Sequence, residues 1–256
     1  STTPRGDNRI DYSIEENFEP EYSKYNNKVK DDIRTWYADI EKGRYDVNKS
    51  LNSFINVTKG IAKEYGNKFG IKINDKQIRE IMPFLRERTD LPEKLDRPDL
   101  KKIFDKLTGQ DKQRLTKLAD DVSAKFDKYY TEYQQAKGIE DVNNIENHIS
   151  HIWDLDKKQK SLLTNYFTTS SKYAKNRTID TLVKGIDGFE VNGELIQFKP
   201  RTLDYAEILK TSSDSFIKAT ADISLADKVK NLETKNGEKL PASMCTIFRR
   251  KKILSF

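Results

Sequence analysis

Apolar residues recur at intervals of three and four from Val29 onward, the spacing of helices that bury one face. Ile33, Trp36, Tyr37 and Ile40 share such a face, and Gly43 reads as a break after them. Val47, Leu51, Phe54, Ile55, Ile61, Ala62 and Tyr65 predict a second amphipathic helix that ends at Gly66. Residues 68–73 read as loop or a weak strand. Asp75 is placed to cap a helix through Ile78, Ile81, Phe84 and Leu85, where Pro83 either starts a shorter helix or kinks this one. Pro92 and Pro98 bracket a linker, and Pro98 suits the first position of a helix running to Leu107. The clearest stripe covers 110–137, with Leu115, Leu118, Val122, Phe126, Tyr129, Tyr130 and Tyr133, and Gly138 stops it.

The pattern lapses over 139–156, and Leu162, Leu163, Tyr166 and Phe167 predict one more helix. Two short runs, 189–191 and 194–198, flank Asn192-Gly193, the strongest short-range hairpin signal. After Pro200, Asp204 and Glu207 stand at capping-box spacing before a long helix carrying Ala206, Leu209, Phe216, Ile217 and Leu225. Asn236-Gly237 predicts a turn. The expected fold is all-α, an elongated helical bundle with long helices and one small β-hairpin near 188–198. Four parts are expected: a flexible arm over 1–24, a helical domain over 25–138, a helical module with the hairpin over 139–235, and a basic tail over 236–256.

Composition narrows the picture. The 256 residues are enough to bury a core, yet only 35% are hydrophobic and 34% are charged, which suits helices with much surface for their volume. Aromatics at 10% are too many for a disordered chain. One cysteine, Cys245, allows no internal disulfide and excludes a disulfide-stapled secreted scaffold. No apolar run approaches the roughly 20 residues that span a bilayer, and the first twenty residues hold no signal-peptide core. A start at Ser1 fits initiator removal, processing or excision from a longer product.

The net charge of +6 is a mild excess of 47 basic over 41 acidic residues, unevenly placed. Residues 157–178 hold Lys157, Lys158, Lys160, Lys172, Lys175 and Arg177 with no acid, interleaved with Tyr166, Phe167 and Tyr173. Cations hold phosphates and aromatics stack on bases, so these six are candidate nucleic-acid contacts; a solvated helix face is the plainer reading. The tail adds Arg249, Arg250, Lys251 and Lys252.

His148 and His151, followed by Asp154 and Asp156, form the one constellation with metal-binding character. Zinc or iron takes imidazoles and carboxylates that converge on a point, so His148, His151 and Asp154 are metal candidates. The chain has no other histidine, and a structural segment with hydrogen-bonded imidazoles is the favoured expectation. No Gly-x-Ser-x-Gly and no glycine-rich phosphate loop occurs, so no catalytic residue, cofactor or metal is expected.

The segment Asn147-His148-Ile149-Ser150-His151-Ile152-Trp153-Asp154 resembles the N-Y-x-P-H-I-W-D segment of very large polyvalent proteins of tailed bacteriophages, with Ser150 standing at the family's proline. Arg177-Thr178-Ile179-Asp180-Thr181 through Lys184-Gly185 is similar to the same proteins. So are Lys199-Pro200-Arg201-Thr202-Leu203-Asp204-Tyr205-Ala206-Glu207 and Ser215-Phe216-Ile217-Lys218-Ala219-Thr220-Ala221. The resemblance covers about 75–235 and is strongest over 145–232. It implies a helical module of structural or internal virion proteins, some packaged in the head and ejected with DNA. The expected location is then the phage particle, after synthesis in the bacterial cytoplasm. Portal, capsid or ejection proteins are the expected partners, with non-specific DNA contact besides. The resemblance carries no catalytic residues. Two alternatives stand beside it: an early phage effector that binds a host protein, and a metal-dependent enzyme centred on His148 and His151.

Overall fold

The computed structural model describes residues 27–139, 151–157, 159, 181–191 and 193–230. The N-terminal arm, the helix expected around Leu162–Phe167, the turn at Asn236-Gly237 and the basic tail with Cys245 lie outside the described residues. Within them the fold is all-α with small β elements, as the periodicity predicts.

Helix α1 is one continuous helix, Asn27–Phe69, so neither Gly43 nor Gly66 interrupts it. An interior glycine costs a helix only about 1 kcal/mol. At Gly43 the missing side chain is used: a Cβ there would lie 2.9 Å from Ile217 Cγ2. The helix stops at Gly70, whose φ of +65° suits glycine, and the Ile71 amide turns back to the Gly66 carbonyl at 3.2 Å.

Helix α2, Asp75–Arg86, is capped by Asn74, one residue before the expected Asp75. The Gln77 amide donates to Asn74 Oδ1 at 2.9 Å, and the Gln77 side chain accepts from the Asn74 amide at 3.0 Å. Asp75 pairs with Arg79 instead, at 2.7 Å. Pro83 starts no new helix; it lies inside this one. Helix α3, Pro98–Phe104, opens on proline and ends three residues short of Leu107. Helix α4 spans Gly109–Ala136 and ends where Gly138 takes φ +74°.

Strands β1 (Trp153–Asp154), β2 (Phe189–Val191), β3 (Glu194–Ile196) and β4 (Lys199–Pro200) and the short helix α5 (Leu182–Asp187) precede helix α6 (Tyr205–Lys230). The expected hairpin is the antiparallel pair β2–β3, with Gly193 at φ +80°. The β1–β4 pairing and α5 have no counterpart in the hydrophobic pattern, because each is too short to show a period. Asp204 caps α6 by accepting from the Ala206 amide at 3.0 Å. Glu207 does not complete the expected box; it accepts from Thr202 Oγ1 at 2.7 Å.

The chain forms two compact units, each discontinuous in sequence. In its described part the first comprises 27–44, Glu132–Ile139 and 216–230. Ile33, Ile40, Tyr133, Ile217 and Leu225 are buried there. Trp36 Nε1 donates to Asp222 at 3.0 Å, and Lys218 meets the same carboxylate at 2.6 Å. The second comprises 45–131 and the described residues between 151 and 215. Tyr65, Phe84, Ile78, Leu100, Leu115, Tyr205 and Ile208 are each less than 2% exposed there. Full burial of each large apolar side chain contributes about 1.5–3 kcal/mol. Among the described residues no helix is long and apolar enough to cross a membrane.

Candidate functional site

The chemistry-bearing segment predicted from sequence lies in the second unit, next to the end of α2. His151 is 5% exposed, and its Nε2 meets Glu87 Oε1 at 2.5 Å. Glu87 is the C-cap of α2. Its other oxygen, Oε2, accepts from the Leu182 amide at 2.8 Å, in the first turn of α5. One carboxylate therefore ties three separate pieces of chain. Arg88 makes the turn that presents it, at φ +59°, with its guanidinium on the Leu85 and Arg86 carbonyls at 3.1 and 3.2 Å.

Beyond the imidazole the segment runs into an aromatic cluster. The His151 and Trp153 rings are 5.5 Å apart edge to face, and Trp153 lies 5.7 Å from Phe198. Ile196 and Phe198 form the buried centre, with Leu155 and Phe189 against them. The β1–β4 register places Trp153 opposite Pro200 and Asp154 opposite Lys199. Asp156 and Gln159 bond reciprocally at 2.7 and 2.9 Å, the geometry of a helix start.

Of the metal candidates, His148 lies outside the described residues. His151 is buried while Asp154 is exposed. Among the described residues no group of three or more His, Cys, Asp or Glu could hold a metal ion. Of the nucleic-acid candidates only Lys157 is described, and it is exposed. Lys158, Lys160, Lys172, Lys175 and Arg177 lie outside the described residues.

A buried ion pair lies in the same unit. Arg79 donates to both oxygens of Asp204, from Nε at 2.8 Å and Nη2 at 3.0 Å. Its Nη1 reaches Asp75 at 2.7 Å and Thr58 Oγ1 at 3.2 Å, so α1, α2 and the cap of α6 share one guanidinium. Close by in sequence, the Tyr205 hydroxyl donates to the Ala119 carbonyl at 3.2 Å and shares a hydrogen bond with Ser123 Oγ. Burial pushes the Tyr205 phenol up to about 12.

Glu87 and Arg79 carry these networks, and sequence reasoning named neither. Glu87 sits 64 residues from His151 and Arg79 sits 125 from Asp204, so no local spacing links them. The one available signal is an arginine and a glutamate on or beside the apolar face of a short helix. No protein-family model, curated protein or solved structure matches the chain.

Proposed function

We propose that this chain is a structural component of a tailed-phage particle that acts by protein–protein contact, with no reaction of its own. The observation that carries the non-catalytic half is the use made of Glu87. Its two oxygens hold the His151 imidazole and the Leu182 amide, so the group most like a catalytic base serves to fasten three segments. Side-chain exposures of 1% for His151 and 3% for Glu87 leave little access for a substrate. The phage half rests on the resemblance. Its described residues take packing and capping positions: Trp153 in the aromatic cluster, Asp204 at the α6 cap and on Arg79, Tyr205 fully buried.

The competing reading is a metal enzyme centred on His148 and His151. Elemental analysis of the purified protein, with melting curves before and after chelation, separates the two. The structural reading expects no stoichiometric transition metal and an unchanged melting temperature in chelator. Stoichiometric zinc or iron released by His151→Ala sinks it.

A further inference from the structure

We propose that the exposed face of α1 between Tyr45 and Asn67 is a docking surface for the phosphate backbone of duplex DNA. Tyr45, Lys49, Asn52, Asn56, Lys63 and Asn67 recur at helical spacing on one side of α1, with Asn48, Lys59 and Gly60 flanking the same line. All nine are exposed, Tyr45 to 67%. The stripe runs about 33 Å at 1.5 Å per residue. Val47, Leu51, Phe54, Thr58, Ile61 and Tyr65 fill the opposite, buried side.

Three features set this face apart from an ordinary solvated one. It contains no acid: in this stretch Asp46 and Glu64 lie at its edge, and Glu64 is held by Arg114 at 2.6 and 3.1 Å. Among the described residues Lys49, Lys59 and Lys63 have no carboxylate within ion-pair distance. Asp75, whose charge Lys59 helps to stabilise, is engaged by Arg79. The face also gives up helix propensity without a packing reason. Asparagine and glycine are poor interior helix residues, and nothing lies within 4 Å of a Cβ at Gly60. Residues that break a local rule without a compensating contact are expected at functional sites.

The partner follows from the chemistry. Lysines supply point charges for phosphate, and asparagine amides donate to phosphate and sugar oxygens. A glycine lets a backbone approach closely. Tyr45 is the one aromatic on the line, too few for stacking along a single strand, whereas a continuous helix face suits a regular duplex. This surface shares no residue with the 157–178 stretch, and the inference stands apart from the particle reading, which needs no DNA contact.

The test is fluorescence anisotropy of the full chain with a random-sequence duplex at several salt concentrations. Three phosphate contacts predict a slope of about −2.7 in log K against log salt from this face, or about 40-fold between 50 and 200 mM salt. A variant carrying Lys49→Glu, Lys59→Glu and Lys63→Glu should lose that increment of slope with an unchanged circular dichroism spectrum. A second variant, Asn52→Ala with Asn56→Ala and Gly60→Ala, should melt at a higher temperature yet bind DNA more weakly. No duplex binding at low salt overturns the proposal. So does an unaltered slope in the lysine variant, unaltered affinity in the second variant, or a preference for single strands.

Discussion

Glu87 is the residue on which three segments depend, and removing it has a calculable consequence. Glu87→Ala leaves the Leu182 amide and a buried imidazole without their carboxylate, which costs about 2–4 kcal/mol. His151→Ala should cost a similar amount. Because the two share one bond, the double variant should fall short of the sum by about 1–3 kcal/mol in urea denaturation. Additive losses would show that the contact carries no energy. Asp111 gives a pH prediction of definite sign. Burial pushes its carboxyl up, but hydrogen bonds from Lys68 and from the Thr108 side chain and amide outweigh that and hold it at about 2, below the ordinary 3.8. A depressed folded value contributes stability that is present above about pH 4 and lost as pH falls towards 2. Asp111→Asn should flatten that acid limb of the urea midpoint. At the other end, burial raises the Tyr65 and Tyr205 phenols to about 12, so their contribution is intact below pH 10 and lost as pH climbs past it. Tyrosinate absorbance should therefore rise together with loss of helix signal.

At the scale of elements, α1 explains where sequence reading succeeds and where it fails. The stripe that ends at Gly138 matches α4 to within a residue at each end, because a long amphipathic run and a left-handed glycine stop agree. Gly43 carries the same letter and means something else. It is a gap that Ile217 fills, and no local pattern distinguishes a glycine that ends a helix from one that admits a neighbour. The contrast can be measured. Gly43→Ala would set a Cβ 2.9–3.1 Å from three carbons of a β-branched side chain that has little room to swing. It should destabilise the fold despite better helix propensity. Gly60→Ala meets nothing and should stabilise by about 0.5–1 kcal/mol. Equal shifts in melting temperature for the two would contradict this account of α1. The His151 segment was harder to read for a different reason: β1, β4 and α5 are short pieces held by long-range contacts. Glu87, Phe198 and Gly185 supply them, the last through its carbonyl to the Phe198 amide at 2.8 Å. Contacts of that kind leave no period in the sequence.

At the scale of the whole molecule, helical class and charge were legible because both are sums over many residues. The division into two discontinuous units was not, because the three long helices α1, α4 and α6 each contribute to both, and membership changes within a helix without any change of pattern. The buried pairs Arg79–Asp204 and His151–Glu87 join segments far apart in sequence within the second unit. Removing one member of such a pair leaves a buried polar group without its partner, which makes these bonds sensitive reporters of correct assembly of that unit. The proposed particle role requires surfaces that contact other virion proteins at a fixed ratio. That proposed role is tested most directly by quantitative mass spectrometry of purified particles of a tailed phage whose genome encodes the chain. The account predicts the chain in the particle at a constant copy number relative to portal or capsid protein, retained through density-gradient purification. Accumulation in infected cells with absence from purified particles would contradict it and leave the host-directed effector as the reading.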